Sequence, residues 1–344
     1  GKSTGKYETP PFRKSLQWNI NFLNNLNFNL EINSLQDLDK VESLIKQKAN
    51  LKDAKQFGAN ALVALEVAIL KALARSQNKQ LWQIINRSAK KFPLPVGNAV
   101  GGGLHSHNKN HPEFQEFLLI SKSFSPQKNY QTLKKIHSKL KSLVEAKGKN
   151  DEGAWQTSLD NEHVLETLSR FKEIKIGTDV ASSAFFHHQH YNYKEKLINN
   201  ETQIHYINFL IKKFNLFYIE DPLQEEDFSG FAKIHRSENN LVVGDDLIAT
   251  QVSRLKKAIS KKSINAMIIK PNQNGSLLEL AEIFKLCKKH NIKTILSHRS
   301  GETLDPALSD LAFGFQADFI KCGIATKWRE VKLKRLIEIE KSLR

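Results

Sequence analysis

From residue 174 onward one pattern repeats six times, and it limits the fold more than any other feature of the chain. A short β-rich run ends in a polar residue, and a helical stretch follows. IKIGTD ends at Asp179, LFYIED presents Glu220 and Asp221, and LVVGDD presents Asp245 and Asp246. NAMIIK ends at Lys270, TILSHRS presents His298 and Arg299, and ADFIK ends at Lys321. Strands that alternate with helices imply βα units and a parallel sheet. Six such units in one stretch favour a (β/α) barrel over an open sheet. In such a barrel the C-terminal strand ends form one face, and reactive side chains gather there.

The first part of the chain reads differently. SLQDLDKVESLIKQ has a serine cap and apolar residues at helical spacing, and GANALVALEVAILKALARS is apolar over a wide arc, which predicts a buried helix. KKFPLPVGNAVGGG then breaks the pattern with two prolines and four glycines. The expected division is a mostly helical capping domain over 1–91 and an α/β barrel over 92–344. The chain opens inside a loop, GKSTGKYE, which reads as a fragment of a longer protein.

The formal net charge of +16 raises nucleic-acid binding as a possibility. The lysines, however, are scattered along helices with Glu and Asn between them, as in LKKIHSKLKSL, which is the pattern of a solvated face. No apolar run is long enough to span a bilayer. Cys287 and Cys322 are the only cysteines, so no disulfide framework or cysteine zinc site is expected, and a reducing cytoplasm is the expected home.

The strand-end residues carry the chemistry. A single Asp after a strand is usually a helix cap. Asp179, Glu220 and Asp245 on successive units are better read as oxygen ligands crowded around a hard cation, Mg²⁺. Lys270 follows an apolar strand, and neighbouring cations would lower its pKa toward that of a general base. Lys321 ends its strand in the same way. A carboxylate substrate bound to the metal and Lys321 would lose its α-proton to Lys270, with the metal holding the charge that develops. Arg299 can grip phosphate oxygens bidentately, Ser300 can add one bond, and His298 stands beside them. The histidine tracts HSHNKNH and FFHHQH lack cysteine partners and helical spacing, so they read as polar loops rather than zinc sites.

With these residues in hand the chain resembles the enolase family. The strings are STGKYE, FGANA, GGGLHS, QEF, DEG, GTDVASSAFF, IEDP, GDDL, KPNQNGS, SHRSGET and IKCG, in order from Gly1 almost to Arg344. The resemblance implies an enolase-type TIM-like barrel with an incomplete N-terminal α+β cap. It implies an Mg²⁺-dependent dehydration of 2-phosphoglycerate to phosphoenolpyruvate, a step of glycolysis and gluconeogenesis, in the cytoplasm. By that likeness Asp179, Glu220 and Asp245 hold the tighter Mg²⁺, and Ser3 joins a second Mg²⁺ when a lid closes. Lys270 removes the C2 proton, and Glu152, with Glu116 beside it, helps the C3 hydroxyl leave. Lys321 lies near the carboxylate, His105 rides on a mobile loop, His298 lies near the hydroxyl and phosphate, and Arg299 and Ser300 grip the phosphate.

The chain departs from the family in several places. About three strands would precede Gly1, and a homodimer contact would use them, so the chain reads as divergent and N-terminally truncated. Ala154 and Trp155 stiffen a loop that in the family normally has two glycines, which would alter the placement of Glu152. Tyr7 replaces a histidine, Ala184 replaces a frequent Glu, and the loop between His105 and Glu116 is longer. An alternative reading is therefore an enolase-like scaffold with weak or no catalysis that binds a partner such as nucleic acid.

Overall fold

The computed structural model describes residues 5–106, 108–194, 196–236 and 239–343. Among the described residues eight strands close into a barrel: β1 (Leu94–Gly101), β2 (Glu116–Ile120), β3 (Lys175–Asp179), β4 (Tyr218–Glu220), β5 (Leu241–Gly244), β6 (Ala266–Ile269), β7 (Lys293–Ser297) and β8 (Phe319–Lys321). They neighbour one another in chain order, and β8 pairs with β1 to close the ring.

The expectation of a parallel sheet holds for every pair except those made by β2. That strand runs antiparallel to both β1 and β3. The reason is the connection: among the described residues of 102–115 there is a single 3₁₀ turn, Gly103–His105, and no crossover helix, so the chain returns instead of crossing over. The consequence for the site is direct. The beginning of β2, not its end, lies on the face that carries the other strand ends, and Glu116 pairs in register with Asp179.

Strand periodicity then explains which polar residues face inward. One buried cluster contains Val96, Leu118, Ile120, Tyr218, Leu241, Val243, Ala266, Ile268, Ile295 and Phe319. These alternate with Leu119, Ile219, Val242, Met267, Ile269, Leu296 and Ile320, which belong to the layer under the helices. The first set fills the barrel interior. Counting two residues onward from Tyr218, Val243, Ile268 and Phe319 gives Glu220, Asp245, Lys270 and Lys321, and two residues back from Leu118 gives Glu116. Each polar group therefore continues an inward-pointing row and caps an apolar plug. Gly177 leaves room for that plug, since a Cβ there would lie 2.5 Å from the Tyr218 carbonyl oxygen.

Before the barrel lie helices α1 (Leu16–Asn24), α2 (Leu38–Ala49), α3 (Ala59–Ser76) and α4 (Leu81–Ile85). Ser15 caps α1 by accepting from the Trp18 amide at 3.1 Å. The wide apolar arc of α3 is only partly covered. Leu62, Leu70 and Leu73 are buried, whereas Leu65 and Ile69 line an open groove with Phe28, Leu30 and Ile32. Helix α5 (Pro126–Leu143) starts with proline in its first turn and Ser125 as cap. The last helix, α6 (Lys327–Ser342), packs against α5 and against the helix Ala307–Gly314. No helix of the described residues is long and apolar enough to cross a membrane.

Candidate functional site

The capped end of the barrel opens into a cleft of roughly 390 Å³. His105, Glu116, Glu152, Asp179, Asp245, Lys270, His298, Arg299, Ser300 and Lys321 all line it. Glu220 is fully enclosed and does not line it, but joins the cluster through Lys321. Ser3 lies outside the described residues, as does His107 of the first histidine tract. Residues His187 and His190 sit on an exposed antiparallel ribbon, and among the described residues no histidine of the second tract joins a group of three metal-ligating side chains, while His105 of the first does so only with Glu116 and Glu152.

The acids are divided between two lysines. Lys321 donates to Glu220 at 2.7 and 2.8 Å and to Asp179 at 3.1 Å, and lies 3.1 Å from Glu116. Lys270 pairs with Asp245. Burial opposes the charge on Lys321, but Asp179, Glu116 and Glu220 outweigh it and raise its pKa well above the ordinary value. Lys270 behaves alike: burial works against its charge, and Asp245 raises its pKa all the same. A lowered Lys270 pKa was expected from neighbouring cations. In this arrangement the nearer neighbour is an anion, and it decides the sign.

Beside these, one ligand atom each of Asp221, Asp245 and Asp246 lie within 4.8 Å of one another. Asp221 is engaged in accepting the amides of Asp245 at 2.9 Å and Asp246 at 2.7 Å, which fixes the turn after β5. Burial and mutual repulsion push several of these carboxyls upward. Glu220 is raised by burial and by Asp179, Asp221 by burial and by Asp246, and Asp246 is pushed up to about 7 by burial and Asp245. A donor set made only of carboxylate oxygens, with more negative charge than its lysines balance, fits a hard divalent cation.

The opposite wall is cationic. Glu152, also buried, receives a bond from Asn98 Nδ2 at 3.1 Å and lies 3.8 Å from His298 Nε2 and 3.4 Å from Arg329. Burial resists its ionisation, but His298 and the Arg329 guanidinium hold its carboxyl below the usual range. Glu116 has the reverse balance: burial, then Glu152 and Asp179, push it up to about 8 against the pull of Lys321. One atom each of His105, Glu116 and Glu152 lie within 4.8 Å of one another. The surroundings thus favour the charged form of Glu152 and the neutral form of Glu116, the two carboxyls to which the sequence reading gave the acid role together. The altered loop after Glu152 is anchored through Trp155. Trp155 stacks on His137 with ring centroids 5.1 Å apart and donates to the His137 carbonyl at 2.7 Å.

Arg299 donates to both oxygens of Glu8, at 3.1 and 2.9 Å, and to Asn272 Oδ1 at 3.0 Å. Glu8 belongs to a stretch drawn over the cleft by the bond from the Thr9 amide to the Gln273 carbonyl at 2.9 Å. Sequence reasoning quoted the STGKYE string without assigning Glu8, and a carboxylate inside a motif was the available signal. It missed Arg329 and Tyr218 altogether. Arg329 is one base among many in a lysine-rich helix. Tyr218 reads simply as a strand aromatic, yet its hydroxyl donates to Glu220 Oε2 at 2.7 Å from inside the barrel.

Comparison with known proteins agrees with this architecture. The family model described as "Enolase, C-terminal TIM barrel domain" matches residues 89–344. Among curated proteins, the chain is 34% identical to an enolase of Methanocorpusculum labreanum, covering 99% of this chain and 90% of that one. It is 35% identical to an enolase of Methanosphaera stadtmanae and 33% identical to one of Archaeoglobus fulgidus. Those two matches cover 90% and 89% of this chain and 80% of each relative. The chain thus belongs to the enolase family, the carbon–oxygen lyases known as phosphopyruvate hydratases.

Proposed function

We propose that the chain dehydrates 2-phosphoglycerate to phosphoenolpyruvate with Mg²⁺ at the acidic wall. The observation that carries this reading is the row of inward positions capping the barrel plug: Glu116, Asp179, Asp245, Lys270 and Lys321 converge on one cleft, with Glu220 enclosed behind Lys321. Asp179, Glu220 and Asp245 would hold the cation, which when bound supplies positive charge against the enolate-like charge on the substrate carboxylate. We assign Ser3 to a second Mg²⁺ on the family likeness alone.

The remaining roles belong to the chain. Lys270, once it has given up its proton, takes the proton from C2. The electron pair left on carbon spreads into the carboxylate, which the Lys321 ammonium faces, and then forms the C2–C3 double bond. The C3 hydroxyl departs as water with a proton from the Glu116–Glu152 pair. Arg299 and Ser300 hold the phosphate, in place of the Glu8 carboxylate that now engages Arg299. His105 closes the side of the cleft next to Glu116, at 3.7 Å from its Oε1. We read residues 1–91 as a cap and 92–344 as the barrel that carries the site, and place the protein in the cytoplasm. The test is turnover of 2-phosphoglycerate followed by the absorbance of phosphoenolpyruvate, with Mg²⁺ and with a chelator. Turnover that the chelator abolishes supports the proposal, and a folded preparation without turnover overturns it.

A further inference from the structure

We infer that Arg329 is a positioning residue that fixes His298 as the neutral Nε2–H tautomer, making His298 a hydrogen-bond donor toward the cleft and not a base. The inference rests on the proposed reaction only for what the cleft holds. Arg329 lies in the first turn of α6 and is fully buried. Its Nε donates to His298 Nδ1 at 2.9 Å. A guanidinium has no acceptor, so Nδ1 must offer its lone pair and the ring proton must sit on Nε2. That nitrogen faces Glu152 at 3.8 Å, on the cleft side. The remaining donors hold the Asp151 carbonyl at 3.2 Å, the Arg299 carbonyl at 3.2 Å and the Ser300 carbonyl at 3.1 Å. One planar fork thus joins the loop of the phosphate grip to the loop of Glu152 and sets the ring between them. Gly323 makes the space, since a Cβ there would lie 2.5 Å from Arg329 Cδ. Burial also keeps the ring uncharged, with its pKa pushed down to about 3.

The test is ¹⁵N NMR of histidine-labelled protein, with His298 assigned by comparison with His298→Asn, together with steady-state kinetics. The wild-type ring is expected to show a pyrrole-type Nε2 and a pyridine-type Nδ1 at neutral pH. Arg329→Met removes the donor. It should give a mixed tautomer signature and lower kcat on the order of 10²-fold with a smaller change in KM, and Arg329→Lys should recover part of both. A wild-type Nδ1–H tautomer or an imidazolium would overturn the inference, as would an unchanged His298 spectrum in folded Arg329→Met. Should Arg329→Met not fold, the wild-type spectrum and Arg329→Lys decide. The expected wild-type tautomer in a protein without turnover would sink the proposed reaction and leave this inference standing.

Discussion

Glu116 and Glu152 are the same residue type, equally enclosed, with oxygens within 4.8 Å of each other, yet they stand at opposite ends of the carboxylate range. Glu116 shares one ammonium with Asp179 and Glu220. Glu152 faces the Arg329 guanidinium and the His298 imidazole, with Glu116 as its neighbouring acid. Burial alone would push both upward, so the difference lies in how each cation is shared: Lys321 serves three acids, whereas Arg329 pairs with Glu152. The cleft is therefore two half-sites, one short of positive charge and suited to a metal, the other supplied with it by the protein.

The largest effect that bears on this contrast is catalytic. Lys270→Ala should lower kcat by at least roughly 10³-fold, within the range of a lost general base, with an unchanged circular dichroism spectrum. Activity close to wild type would mean that the acidic half-site does not hold the base. Next, Lys321→Met removes the one ammonium shared by three acids. It should destabilise the protein by about 3–5 kcal/mol in denaturant titrations, and Mg²⁺ should restore more stability to this variant than to the wild type. Equal Mg²⁺ responses would count against a cation site on that wall.

The third contrast is between the two glutamates themselves. Glu152→Gln leaves the buried Arg329 without its anion and should cost about 2 kcal/mol. Glu116→Gln removes the cost of keeping this carboxyl protonated on folding, so it should be close to silent below pH 4.5 and increasingly stabilising as pH rises from there toward 8. Its effect is a pH dependence. A carboxyl raised from 4.5 to about 8 contributes stability that is fully present below 4.5 and is lost as pH rises from there to 8, so the Gln variant should flatten the fall between those pH values in metal-free buffer. The smallest effect concerns His137, beneath Trp155. Burial first, and Lys149 and Lys134 after it, lower its pKa from 6.5 to about 4. A depressed histidine contributes stability above 6.5 that is lost as pH falls toward 4. His137→Gln should therefore lessen acid destabilisation by on the order of 1–2 kcal/mol in thermal melts between those pH values.

Much of this was legible in the sequence because two periodicities coincide. The βα rhythm locates the strands, and the two-residue alternation within them selects Glu220, Asp245, Lys270 and Lys321 as inward groups. What was not legible depends on contacts between distant segments. Nothing local marks β2 as antiparallel, since a strand's direction is set by what the preceding connection can span. The pairing of Asp245 with Lys270 instead of with Asp179 and Glu220 arises only when separate strands meet. Arg329 acquires its role from the carbonyls of Asp151, Arg299 and Ser300, none of which is near it in sequence. The covered arc of α3 was overestimated for the same kind of reason: apolar spacing says which residues seek cover, and the rest of the chain decides whether they find it.

The reversed direction of β2 has an evolutionary side. A loop that merely turns back between two register-locked strands has no crossover geometry to satisfy, so residues can be added or removed there without shifting the barrel. Gly101 and Glu116 remain paired whatever the span between them does. The segment bearing His105 is accordingly the natural place for this scaffold to vary in length, and for an engineer to graft a new cover over an old cleft.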